Sequence, residues 1–322
     1  MNRELERRCS ELVENYRILA PGYKMASTEM VLACAGVYQA AGVQPDMSKV
    51  EECKKILKSK AGAFSNFRGS DEPVILCKMA LSDDPARYFE NLEKVYKLIK
   101  TFFSGEQTVL AAMILAEQGA SAEGLAEKTK QIYKEMREAH PWLTSEEDLP
   151  FAALMAVSGM DASAVYMEAE KNYNLLKGSL RADHNTLQML SHILAIRSGR
   201  AEEKCEKLCA LAGGLKAAKR SLGSWSRLAI LGILADSGLP TDALVDHICE
   251  ADDYLKEHKP FHGIFGVGND CRRMFAVEMV QASFSGEANS GVSAILTASI
   301  ELAIITAISM MIIISSTAAV SH

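Results

Sequence analysis

The sequence predicts an all-α protein made of tandem helix hairpins of about 40 residues, and three observations carry that prediction. Short apolar segments closed by glycine recur at a constant spacing. Between them lie more polar segments whose apolar residues keep a helical period. Strand signals are nearly absent, and no Asn-Gly or Asp-Gly turn separates alternating runs.

The apolar segments come in order. Val31-Leu32-Ala33-Cys34-Ala35 runs to Gly42, and Val74-Ile75-Leu76-Cys77-Lys78-Met79 runs to the turn Asp83-Asp84-Pro85. Val109 to Met113 leads to Gly119, Phe151 to Met155 leads to Gly159, and Leu187 leads to Gly199. Leu228-Ala229-Ile230-Leu231 leads to Gly238, and a looser seventh copy runs from Met274 to Gly286. The glycines at 119, 159, 199 and 238 step by 40, 40 and 39 residues. Each is placed for the left-handed position that closes a helix, which costs other residues a steric penalty.

The intervening segments read as amphipathic helices. Phe89, Leu92, Val95, Tyr96 and Ile99 share one helical face, as do Leu125, Thr129, Ile132, Tyr133 and Met136. Val165, Ala169, Tyr173 and Leu176 repeat the pattern, and Tyr16, Tyr96, Tyr133, Tyr173 and Tyr254 hold comparable places. Ser48 with Glu51, and Ser145 with Asp148, read as helix-start caps. A single pair cannot hide its apolar helix, so neighbours must stack, apolar helices inside and polar helices outside. An open, α-solenoid-like array is favoured over a closed α/α toroid. Residues 1–286 form this repeat domain, and 287–322 form an apolar Ile/Ala/Ser/Thr-rich tail.

Residues 302–320 of that tail carry no charge, a length sufficient to span a bilayer as a helix. No Lys or Arg follows Arg273, and the tail holds no Trp or Tyr for an interfacial belt. A docked or self-associating helix is therefore favoured over membrane contact through 292–320, with a homo-oligomer as one form of it. The charged N-terminus, without an apolar stretch behind it, argues against export and for a cytoplasmic setting. A net charge of −6 gives no basic field for nucleic acid. Lys54, Lys55, Lys58 and Lys60 read as a solvated face, and the eight cysteines as reduced thiols without a disulfide framework.

The phosphate-loop, zinc-protease and nucleophile-elbow motifs are absent. Cys205 and Cys209, with His247 and Cys249, have soft-ligand chemistry but the wrong spacing for a zinc site, so no metal or cofactor is expected. His258 and His262 flank Lys259-Pro260-Phe261, where proline breaks any shared helical face. The glycines of 263–270 open a helix without a preceding strand and read as a connector. Asp83-Asp84 and Asp252-Asp253 read as helix-terminal or surface charges. The most distinctive loop is Phe64-Ser65-Asn66-Phe67-Arg68-Gly69. There Arg68, Asn66 and Ser65 are the candidate ligand-binding residues for a carboxylate or phosphate, with the phenylalanines as anchors.

That loop, the opening Arg8-Cys9-Ser10-Glu11-Leu12-Val13-Glu14-Asn15-Tyr16 and the order of helix pairs resemble a bacterial family catalogued as a domain of unknown function, number four thousand and three. The resemblance spans most of the chain and implies a bacterial setting, with no reaction, ligand or site to carry over. The expected role is therefore a non-catalytic scaffold for a protein or peptide partner. The alternatives are an enzyme or small-ligand binder of the toroid type, with Arg68 near His258, His262 and Asp270, and a tail-held membrane protein.

Overall fold

The structure, a computed structural model, describes residues 1–100, 105–223, 226–263 and 266–284; the tail at 287–322 lies outside them. Among the described residues the protein is all-helical, with no strand. The helices are α1 (Arg3–Leu19), α2 (Thr28–Ala41), α3 (Met47–Lys60), α4 (Glu72–Leu81), α5 (Pro85–Ile99), α6 (Glu106–Ala116) and α7 (Ala122–Ala139). They continue with α8 (Leu149–Val157), α9 (Ala162–Ser179), α10 (His184–Ala195), α11 (Ala201–Ala217), α12 (Thr241–Lys256) and α13 (Asn269–Phe284). A 3-10 segment, Ser226–Leu234, stands between α11 and α12.

The chain divides into two compact units: residues 15–167, and residues 1–14 together with the described residues from Glu168 onward. In the 15–167 unit α2 packs on α4 and α6 on α8, while α5 packs on α6 and α7. Composition explains the two kinds of helix. α6 is buried continuously from Gln107 to Ala116, because an apolar helix with no polar face has no side to give to water. α5 buries one stripe, Phe89, Leu92, Val95 and Ile99, and keeps charge elsewhere. In the other unit α10 packs on the 3-10 segment, which also meets α13, and α12 packs on α11 and α13.

Helix ends follow chemistry the sequence shows in part. Gly42 closes α2 at φ 69°, its N–H donating to Gln39 and Tyr38 carbonyls, and Gly119, Gly159 and Gly199 also have positive φ. Gly238 does not, and the segment before it winds as a 3-10 helix rather than as the expected α-helix. There Gly232 comes so close to α10 that a Cβ would lie 2.7 Å from Ile193 Cγ2. The start of α3 is likewise corrected: Asp46, not Ser48, is the cap, its Oδ1 accepting from the Ser48 and Lys49 amides. Asp46 stands outside the helix with its carboxylate facing the free amides, where Ser48 already lies inside the first turn.

A second kind of cap comes from neighbouring helices. Lys49 of α3 donates to the Ser82 carbonyl after α4 (3.3 Å), and Lys128 of α7 donates to the Ala156 carbonyl of α8 (2.9 Å). Lys207 of α11 donates to the Leu239 carbonyl beyond the 3-10 segment (3.0 Å). The Lys49 and Lys128 ammonium groups satisfy carbonyls that the ends of α4 and α8 leave without an intrahelical partner, and Lys207 does the same for the loop ahead of α12. These lysines sit 79 residues apart in turn.

Candidate functional site

The site lies where α2 and α4 of the 15–167 unit begin. A cleft of about 690 Å³ opens between the loop Pro21–Ser27, which leads into α2, and Gly69–Pro73, which opens α4. Met30, Pro73 and Leu76 give it an apolar floor, and Glu51, Lys54, Ser70 and Glu72 a polar rim. Tyr23 also lines it, with its hydroxyl 3.8 Å from the Cys77 thiol; burial against Cys77 and Cys34 pushes its phenol far above the ordinary range.

Acidic side chains tie the same edge together. Glu106, the first residue of α6, accepts from the Ser70 amide at 2.8 Å. Glu146, ahead of α8, accepts from the amides of Gly105 and Thr108 and from the Thr108 hydroxyl. The Gly105 and Thr108 amides are unsatisfied donors at the start of α6, and the Ser70 amide lies just ahead of α4, so each carboxylate supplies both a hydrogen bond and a favourable charge. Gly69 makes room: a Cβ there would stand 2.8 Å from Glu106 Oε1.

The three candidate residues take up separate positions in this loop. Ser65 caps a 3-10 turn, Asn66–Arg68, accepting from the Phe67 amide at 3.4 Å. Asn66 donates to the Tyr96 hydroxyl at 2.8 Å. Arg68 keeps its Nε 3.8 Å from Glu72 Oε2 on the cleft rim. Of the two expected anchors, Phe67 is one: it packs edge-to-face on Phe89 and Tyr96, 5.2 and 5.0 Å away between ring centres. Phe64 is not, being fully exposed at the loop tip, because Gly62 to Phe64 turn outward before the 3-10 turn brings Phe67 back.

Asp71, just behind the rim, is not legible as unusual in the sequence. Its side chain is 0% exposed, and neither carboxylate oxygen has a hydrogen-bond partner among the described residues. Burial, with the Glu106 charge adding to it, pushes its pKa up to about 8. Asp148 holds the matching place before α8, and burial raises it to about 7, although the Ser145 amide donates to it. Each precedes a helix with proline in its first turn, Pro73 and Pro150. The Asp-x-Pro spacing is the signal that could have found them.

The remaining candidates belong to the other unit. Cys205 is buried beside the Asn172 carbonyl, and Cys209 and Cys249 are half-buried. His247 pairs with Glu250, and no group of three or more metal-ligating side chains occurs among the described residues. His258 meets the Tyr254 carbonyl at 2.8 Å and stacks on that ring, while His262 is exposed. Within the 263–270 connector, residues 264–265 lie outside the described residues, and Asp270 accepts from Arg227 at 3.1 Å. The reading of Asp252-Asp253 as surface charge is corrected. Asp252 is 0% exposed and accepts from Arg272 Nε at 2.7 Å and Arg220 at 2.5 Å, while Arg273 Nε lies 3.6 Å away. The pair is adjacent in sequence, but helix geometry turns Asp252 inward and leaves Asp253 outside to meet Arg220.

A family model described as protein of unknown function (DUF4003) matches residues 15–314. The chain belongs to this family. The DUF4003 match covers the cleft, the Phe64–Gly69 loop and helices α2 to α13. Among curated proteins, the chain is similar to the uncharacterised protein YeaA of Bacillus subtilis (strain 168), with 22% identity over 194 residues. That stretch is 58% of this chain, and the chain spans 59% of that relative's length. No solved structure matches.

Proposed function

We propose that this DUF4003 protein is a non-catalytic helical-repeat scaffold, cytoplasmic in a bacterium, that holds a peptide segment of a partner protein in the cleft between Pro21–Ser27 and Gly69–Pro73. The cleft carries the reading. It is an open trough with an apolar floor and a mixed-charge rim, and its volume suits a few anchoring side chains. Recurrent contacts support the repeat. Lys60 with Glu90, Lys94 with Glu123, and Lys171 with Glu202 pair successive outer helices, and Lys78–Glu117 and Arg197–Asp236 span 39 residues each. Stacked pairs of this kind offer extended surfaces of the sort repeat proteins bind with. Within this reading Ser65, Asn66 and Arg68 shape the loop and its rim. Membrane contact or self-association through 292–320 belongs to the same proposal, and comparing the solubility of the full chain with one ending at Ser290 tests it.

The cleft is tested with peptides selected from a random library on the immobilised full chain. Ser70 is exposed on the rim, so Ser70→Trp obstructs the trough while its backbone amide keeps its bond to Glu106. Selected peptides are expected to lose at least about tenfold in affinity on Ser70→Trp at unchanged melting temperature. Equal binding to both proteins, or a library that yields no binders, overturns the reading.

A further inference from the structure

The three most exposed large apolar side chains among the described residues share one edge. Met25 is 100% exposed, Phe64 103% and Trp142 96%, whereas Met167, the next, reaches 69%. Each stands in a loop that leads into an inner helix: α2, α4 and α8 in turn. The loops are neighbours by direct contact. Pro21–Ser27 faces Gly69–Pro73 across the cleft, Glu106 at the start of α6 holds Ser70, and Glu146 ahead of α8 holds Gly105. All of these residues belong to the 15–167 unit.

Two of the three tip loops carry charge of one sign. Residues 20–28 contain Lys24 and no acid, and residues 53–70 contain Lys54, Lys55, Lys58, Lys60 and Arg68 and no acid. Ahead of Trp142, Arg137 is followed directly by Glu138, and 139–145 holds His140 and no acid. Lys24, Lys58 and Arg137 are exposed. Acids flank these loops, several of them at helix starts. Glu51 pairs with Lys54 and Glu72 with Arg68, Glu106 and Glu146 accept backbone amides, and Asp71 and Asp148 are buried. Glu51, Glu52, Glu138 and Glu147, beside these loops, are exposed, as is Glu90, the partner of Lys60. A chain of net charge −6 thus presents, at the Met25 and Phe64 loops, locally basic segments with apolar tips.

We infer that this edge docks on an anionic lipid surface, with Met25, Phe64 and Trp142 entering the headgroup region and the flanking lysines and arginines meeting lipid phosphates. The occupant follows from two features. Indole and phenyl rings are favoured at a bilayer interface, and basic residues beside them gain from its negative potential. The tips also stand on separate loops, with a cleft rather than a packed apolar patch between the first two. A fluid bilayer receives isolated side chains, whereas a protein interface gathers its apolar core into one packed area.

The test uses the full chain carrying Trp225→Phe, so that Trp142 is the single indole, with vesicles of equal phosphatidylglycerol and phosphatidylcholine and with vesicles of phosphatidylcholine alone. The expected results are a blue shift of Trp142 emission with the anionic vesicles, its reversal at high salt, and co-sedimentation that weakens by at least about tenfold in Met25→Ser/Phe64→Ser/Trp142→Ser. These positions are exposed, so the melting temperature of the triple variant stays unchanged. Unshifted Trp142 emission overturns the inference, as does vesicle binding by the triple variant equal to that of the parent, which assigns it to another part of the chain. Loss of selected peptides with vesicle binding intact makes the edge a protein interface and equally overturns it.

Discussion

Replacing Asp71 by asparagine removes a carboxyl group that burial holds at a pKa of about 8, against an ordinary value of 3.8. Because the folded value is raised, the folded protein keeps a proton that the unfolded chain gives up above about pH 4. Its contribution to stability is therefore complete below 3.8 and is lost as pH rises towards about 8. Across that window the loss is about 1.4 kcal/mol per pH unit. Between pH 5 and pH 8 it reaches at most about 4 kcal/mol, and local relaxation brings the expected figure to about 2–4 kcal/mol. The side chain of the Asp71→Asn variant ionises in neither state, at the cost of about 1–3 kcal/mol for an amide left without partners. Urea unfolding of both proteins at pH 5, 6.5, 8 and 9, followed by circular dichroism, measures the difference. The variant's stability relative to wild type should climb from pH 5 to pH 8 and level off beyond. A difference that stays flat over this range refutes the reasoning.

Three further substitutions probe the other unit. Asp252→Ala leaves Arg220, Arg272 and Arg273 crowded without their buried counter-charge, and should cost about 3–5 kcal/mol in urea unfolding, while Asp253→Ala, at the exposed partner, should cost under about 1 kcal/mol. Lys204 is 2% exposed and donates to Glu168 (3.0 Å) and to the carbonyls of Leu194 (2.6 Å) and Arg197 (3.0 Å) at the end of α10. Lys204→Met keeps the stem's packing and strips these acceptors of their donor. A loss of about 2–4 kcal/mol is expected, with hydrogen exchange rising in the α10–α11 connection.

The helical layout is legible in the sequence because two local signals agree. Glycines such as Gly42 and Gly159 mark helix ends by backbone conformation, and stripes such as Phe89 to Ile99 mark a helix with one wet face. Both depend on residues within a few positions of each other. What stays hidden depends on partners far along the chain. Asp252 resembles any surface acid until Arg272 and Arg220, 20 and 32 residues away, converge on it. Asp71 resembles an ordinary helix cap, and only the packing around it makes it a buried acid. The Phe64–Gly69 loop stands out by composition, yet its six letters do not say that Phe67 turns in and Phe64 out. Nor do they reveal the cleft, whose opposite wall comes from Pro21–Ser27.

The borrowed carboxylates at the openings of α4 and α6 impose an order on synthesis. The Ser70 amide leaves the ribosome 36 residues before Glu106, and Gly105 leaves 41 residues before Glu146. The openings of α4 and α6 therefore wait, half finished, for a side chain that a later segment delivers. At these two points the later segment completes the earlier one, and a nascent chain halted between them exposes an open end of just the kind that chaperones and proteases meet first.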